Sequence, residues 1–471
     1  MSSPADRANL DLELREALTE ASRRRAPTVV SVSLPFECHD PVATVFASRR
    51  AGEPFFCWDQ PDRDLRMAAL GRVHEVNSRG PDRFVEVAAE CAHLSGEAVV
   101  RGSAGFTTGP VWTGGFSFHD EAGFGTADAE ADPAWSSFEP ASMILPELAI
   151  QSSEAGTFIT VNLMVGSGSD PEALTESALN RVAGLVSAEL PMIDPHPTVA
   201  PVIESVRSPE EYERSVAAAV ERIRAGEIEK VVLAREVVVR AGSAHDPAAI
   251  FDALRQGFPS CFNFCAGTGE AVFIGASPEL LVRCVGRGVA TVGLAGSTRR
   301  SSDPAVDDHL AQQLLGSNKD RGEQAVVVRR IVKTLGRLSV WVEAADEPEI
   351  IKVANIQHLG TPVYAQLSQP RTAIELAGLL HPTPAVGGEP WKKARHVMTE
   401  VEAMDRGWYA SPVGWMDGSG DGEFCVALRS ALIRDREAHL FAGVGVVADS
   451  DPAAELAETE IKLGALLPLL S

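Results

Sequence analysis

The sequence predicts an α+β fold built on antiparallel strands. Runs such as TVVSVSLPF, EAVVRG and TFITVNLMVG, broken by turns, recur through the first part of the chain with a few helical stretches among them. Further on, VGWM and EFCVALRSALI flank the turn GSGDG, and RDREA leads into HLFAGVGVV, the pattern of an antiparallel meander. No GxGxxG follows a strand and no GxxxxGKS or GxxxxGKT occurs, so nothing points to a doubly wound parallel sheet with a dinucleotide or P-loop site.

In chain order, the strand-rich part covers residues 1–200, and a proline-rich seam, PMIDPHPTVAPVIES, separates it from residues 205–471. SPEEYERSVAAAVERIRAG reads as a helix. Ser208 is its N-cap, Pro209 its first residue, Glu211 completes a capping box and Gly226 stops it. The β-branched run IEKVVLAREVVVR follows as a strand. In CFNFC, alternation puts Cys261 and Cys265 on one face and Phe262 and Phe264 on the other. With no second Cys/His pair nearby, these read as core thiols and not zinc ligands. DDHLAQQLLGSNKDRGEQAVVVRRIVKTLG reads as one long helix, and a last helix opens near Asp451-Pro452.

The 471 residues are 45% apolar, enough for a substantial core, and no stretch approaches the ~20 apolar residues of a membrane span. The N-terminus lacks the apolar run of a signal peptide, so a soluble, cytoplasmic protein is expected. Seven cysteines without paired spacing give no disulfide framework. A net charge of -23 would repel nucleic acid and anionic lipid, and an anionic substrate would need a site that reverses this field locally.

Glu455 and Glu458 on the last helix are three residues apart, and Lys462 lies four beyond Glu458, so all share one face. Glu323 lies on the preceding long helix beside an apolar run. Carboxylates without imidazole or thiolate suit a hard cation such as Mg²⁺, although spacing alone favours solvated helix faces with a Glu–Lys pair. Alternation through EFCVALRSALI places Arg429 among Cys425, Ala427, Ala431 and Ile433 in a mid-sheet strand. There its guanidinium needs a partner, either a structural glutamate or a substrate carboxylate. Lys230 opens its strand and Glu279 lies in GASPELLVR. Desolvated, such a pair can serve as base and acid; a strand-end lysine and a loop glutamate are the plainer reading. His358 and His381 read as structural or solvent-facing, and the glycines of GLAGSTRR and FAGVGVV as either anion-approaching backbone or strand bulges.

KVVLAR, GASPELL, LAGSTRR, SNKDRGEQ, HPTPAVGG, ALRSA, FAGVGVV and ETEIKL occur in this order between residues 230 and 463. The succession closely resembles the chorismate-utilising enzymes, which include isochorismate, salicylate, anthranilate and aminodeoxychorismate synthases. The resemblance implies two packed antiparallel β-sheets with helices outside, residues 1–200 being the more divergent part of one catalytic fold. It implies chorismate as substrate and Mg²⁺ as cofactor. Lys230 is similar to the base that activates water, and Glu279 to the acid that protonates the hydroxyl leaving ring carbon 4. Glu323 and Glu458 match metal ligands, and Glu455 a further acidic position near the metal. Arg429, Lys462 and the backbone at Gly445 match groups that hold the substrate carboxylates. Gly296, Ser297 and His358 match positions lining the site.

Two positions then choose among members. The ammonia-using synthases lack a lysine where Lys230 stands, so the resemblance implies water as nucleophile and no glutaminase subunit. Ala385, the fifth residue of HPTPA, is as in isochorismate synthases, where salicylate and anthranilate synthases typically place threonine. The implied activity is isochorismate synthase, an isomerase, with salicylate synthase as the alternative. The product would feed menaquinone, siderophore or salicylate synthesis. A catalytically dead homologue would have lost Lys230, Glu279 or a metal glutamate, and all are present.

Overall fold

Strand pairing sorts the chain into two sheets. The computed structural model describes residues 4–470 apart from 103–104, 108, 121–132, 195–198 and 355, so part of the proline-rich seam lies outside the described residues. Among the described residues one sheet has 13 strands and the other 10. The pairs are antiparallel except Thr28–Pro35 with Val99–Gly102, which is parallel. Strands from both sides of residue 200 share both sheets: Phe55–Gln60 pairs with Phe262–Gly267, and Val111–Phe116 with Pro412–Asp417.

One core joins the facing sides of the sheets, where Trp58, Phe264 and Phe273 of the larger share a cluster with Trp112, Phe116 and Phe424 of the smaller. Fully buried phenylalanines such as Phe264 and Phe273 each contribute about 1.5 to 3 kcal/mol. A second core lies behind the larger sheet, where Leu10, Leu14, Phe251 and Leu254 cover it from the helices Pro4–Ala21 and Pro247–Gly257. Cys261 and Cys265 belong to this second core and Phe262 and Phe264 to the first, as the alternation requires. Both thiols are free. The fold is therefore α+β with two antiparallel-rich sheets, and no described helix is long and apolar enough to cross a membrane.

The helix Pro209–Arg224 carries the expected capping box, with Ser208 and Glu211 satisfying each other's backbone N–H groups. Asp451 caps Pro452–Leu463 by accepting from the Ala454 N–H at 2.9 Å. Two expectations need correction. The long helix is two, Pro304–Gly316 and Asn318–Leu335, because Ser317 is extended and its hydroxyl accepts from the Asp320 N–H to start the second.

The meander is two hairpins on different sheets. Pro412–Asp417 and Gly422–Val426 pair in the smaller sheet, Ser430–Arg434 and Glu437–Val446 in the larger. The chain crosses between them at residues 427–429, so Arg429 is not in a strand; its φ is +47°. A neighbouring crossing runs from Val272–Ser277 in the larger sheet to Leu280–Val285 in the smaller through Pro278 and Glu279. The two crossings are bonded together: the Ala276 N–H donates to the Arg429 carbonyl at 3.1 Å, and the Val426 N–H to the Glu279 carbonyl at 3.0 Å. Glu279 and Arg429 are thus fixed side by side at the seam of the sheets.

Candidate active site

A cleft opens at this seam, enclosing about 910 Å³ of empty space that is partly open solvent. It brings together Glu279, Gly296, Ser297, Glu323, His358, Ala385, Arg429, Gly445, Glu455, Glu458 and Lys462. Lys230 stands behind Gly445, at the start of the strand Lys230–Arg240, which pairs with Glu437–Val446. Its ammonium is fully buried and lies 2.7 Å from Glu323 Oε1, an ion pair without a well-directed hydrogen bond. Gly445 is needed for this approach, because a Cβ there would overlap the Glu323 carboxylate and press on Lys230 Cε.

Arg429 occupies a left-handed conformation that costs a non-glycine residue about 1 to 2 kcal/mol, the kind of strain held at functional sites. Its Nη2 donates to His358 Nε2 at 2.8 Å, while its buried Nη1 has no hydrogen-bond partner. The electrostatic partner beside it is Cys261, not a glutamate. Of the two partners left open by the sequence, a ligand carboxylate fits. Burial, with the positive charges of Arg429 and Lys462, pushes His358 well below the usual histidine range despite a hydrogen bond to the Gly296 backbone. His358 is therefore a neutral acceptor that steers the guanidinium. Gly296, at φ +74°, is the bulged residue between Ala295 and Ser297 opposite His358, so at this position the glycine does serve a bulge. His381 instead packs edge-on against Phe118, 5.4 Å between ring centroids, in a structural role.

Three of the carboxylates are each met by a lysine. Glu323 faces Lys230, Glu455 meets Lys319 at 2.9 Å, and Glu458 meets Lys462 at 2.9 Å and accepts from the Ser297 hydroxyl at 2.7 Å. Lys462 also donates to the Gly443 carbonyl at 2.8 Å. Burial raises the Glu455 carboxyl above its ordinary value despite Lys319. Burial also opposes ionisation of Glu458, but Lys462 and Ser297 outweigh it and hold this carboxyl low. Glu279 has no such partner. Burial pushes it up to about 8, only partly offset by the positive charges of Lys230 and Lys462, so it keeps its proton at neutral pH.

Five carboxyl groups (Glu279, Asp320, Glu323, Glu455, Glu458) thus share the region with four cations (Lys230, Lys319, Arg429, Lys462). With Glu279 protonated these charges cancel, so the cleft adds no net negative charge of its own to that of the whole chain. The donor set is all oxygen, which fits a hard cation held by one or two carboxylates plus ligand oxygens. Among the described residues no three metal-binding side chains converge on one centre as they stand.

Sequence reasoning missed Lys319 and Asp320, though both lie in the SNKDRGEQ block, four and three residues before Glu323 on the same helical face. It also missed the buried pair Glu402–Arg406. Arg406 binds Glu402 twice at 2.6 Å and donates to the carbonyls of Val386 at 2.8 Å and Val232 at 3.0 Å. Glu402 in turn accepts from the Ala234 N–H at 2.9 Å. The pair ties the loop carrying Ala385 to the strand carrying Lys230. Its only sequence signal is an i,i+4 spacing.

The chain is 32% identical to the isochorismate synthase MenF of Bacillus subtilis, over 97% of each chain. It is 34% identical to the salicylate biosynthesis isochorismate synthase of Pseudomonas aeruginosa, covering 97% of this chain and 93% of that one. Its fold is similar to that of MenF, the menaquinone-specific isochorismate synthase of Escherichia coli, with a TM-score of 0.77, 25% identity, and coverage of 98% and 100%. The profile described as chorismate binding enzyme matches residues 16–471, and the chain belongs to that family.

Proposed function

We propose that the chain is a Mg²⁺-dependent isochorismate synthase that adds water at ring carbon 2 of chorismate and releases the hydroxyl at carbon 4. The observation that carries this reading is a carboxylate-lined cleft that holds a carboxyl keeping its proton, Glu279, with a buried lysine, Lys230, directly behind its Gly445. The relatives that match nearly the whole chain are named isochorismate synthases. Lys230 accepts a proton from water as it adds to the ring, and Glu279 donates one to the departing hydroxyl, so water is neither gained nor lost overall. Arg429, through its free Nη1, and Lys462 hold a substrate carboxylate. Glu323 and Glu458, with Glu455 beside them, would hold Mg²⁺, which when bound supplies positive charge to a substrate carboxylate and draws electron density from the ring. Water as nucleophile requires no glutaminase partner.

Turnover is expected to fall as pH rises through about 8, where Glu279 ionises. Stability follows the same group. Its folded value lies above the ordinary 4.5, so the protonated form stabilises the fold at low pH, and that contribution is lost as pH rises from about 4.5 to about 8. Above pH 8 Glu279→Gln should therefore melt higher than wild type in a thermal scan; a lower melting point there would contradict the burial argument.

The choice between stopping at isochorismate and eliminating pyruvate rests on Ala385, whose methyl lines the cleft. Elimination requires the carbon 2 hydrogen to reach the pyruvyl methylene as the bond at carbon 3 breaks. Threonine would add a hydroxyl and bulk beside the ring. Wild type should release little pyruvate in a lactate dehydrogenase-coupled assay, and Ala385→Thr should divert some flux to salicylate and pyruvate. Stoichiometric pyruvate from wild type would replace the reading with salicylate synthase.

A further inference from the structure

Resting on the metal reading above, we propose that Lys319 is a built-in substitute for the cation: its ammonium holds Glu455 in the metal-free protein and withdraws when a metal ion takes its place. Three of the four glutamates that line the cleft are each met by a different lysine. Lys230 and Lys462 have places in the proposed chemistry; Lys319 has none. It sits in the first turn of Asn318–Leu335, on the face of Glu323, and reaches across to Glu455 on Pro452–Leu463 at 2.9 Å. This ion pair spans the same two helices that a cation between Glu323 and Glu458 would join.

The partners differ in burial. The Glu455 side chain is 3% exposed and that of Lys319 38%. A lysine on a flexible stem can swing into water, whereas the buried carboxylate stays and faces the cleft. Separate lysine clamps also account for the failure of three acidic groups to converge among the described residues.

The consequence is competition. Molecules in which Lys319 holds Glu455 do not offer that carboxylate to a metal, so apparent affinity falls by the fraction that do. Free enzyme then binds the ion weakly.

The test uses Mn²⁺ as probe, with free ion read by electron paramagnetic resonance and no chorismate present. Lys319→Met keeps the stem and removes the charge, and should bind Mn²⁺ about tenfold tighter than wild type. Lys319→Arg restores a cation and should return to wild-type affinity. Melting in EDTA gives a second readout, in which Lys319→Met should melt below wild type because Glu455 has lost its counter-charge. Equal or weaker Mn²⁺ binding by Lys319→Met overturns the proposal. Glu458→Gln separates the two ideas. If it abolishes Mn²⁺ binding while Lys319→Met leaves it unchanged, only the role of Lys319 fails; if it binds as wild type does, the metal reading and this proposal fail together.

Discussion

Lys230→Ala and Glu279→Gln are each expected to lower turnover of chorismate by about 10²- to 10⁴-fold, the usual worth of a positioned proton-transfer group. The two losses have separate origins. Lys230 is fully buried at the start of its strand, so no surface group can stand in for its amine. Glu279 is the carboxyl of the cleft that burial lifts to about 8, and glutamine keeps its shape while removing the proton it would give. Binding should survive in both variants, because Arg429 and Lys462 are untouched, so the loss should appear in kcat and not in KM. Lys230→Ala leaves Glu323 without its counter-charge, and its folding is checked by circular dichroism beside the rate. Wild-type turnover in either variant would show that the residue carries no proton in the reaction.

Removing the metal should have an effect at least as large. EDTA should abolish turnover and added Mg²⁺ restore it, and Glu323→Gln or Glu458→Gln should be folded yet nearly inactive at any Mg²⁺ concentration. The cleft gathers four carboxylates besides Glu279, and each glutamate among them already needs a cation, here a lysine, to be stable in that position. Neutralising one glutamate removes its negative charge and one of its two carboxylate oxygens from the donor set. It also strands its lysine, which is more costly for Lys230, fully buried, than for Lys462, whose side chain is 23% exposed. Glu323→Gln should accordingly melt lower than Glu458→Gln. Full turnover in metal-free buffer would remove the cation from the mechanism.

Much of the fold was legible because local rules are strong where a residue has one surrounding to satisfy. The Ser208 box, the helix start at Asp451-Pro452 and the two-faced strand at Cys261 follow from backbone donors and the pleat alone. Alternation failed at Arg429 because period-2 patterning assumes one sheet. The residues on either side still alternate, but the chain changes sheets at 427–429, and an arginine at positive φ carries no glycine to signal it. The break at Ser317 was hidden for a related reason, since an apolar period runs on both sides of a single capping residue. Spacing placed Glu455, Glu458 and Lys462 on one face. It could not reveal that Ser297 comes to meet Glu458 and Lys319 to meet Glu455, because those contacts span 161 and 136 residues. The ordered blocks named the site before any geometry did, whereas Glu402–Arg406, which braces the site without lining it, left only its spacing.

One measurement bears most directly on the proposed activity. Purified protein is incubated with chorismate and Mg²⁺, and the products are separated by chromatography. Isochorismate in equilibrium with chorismate, with little salicylate or pyruvate, is the predicted result. Salicylate as the main product, or chorismate left unchanged by folded, Mg²⁺-supplied protein, would contradict it.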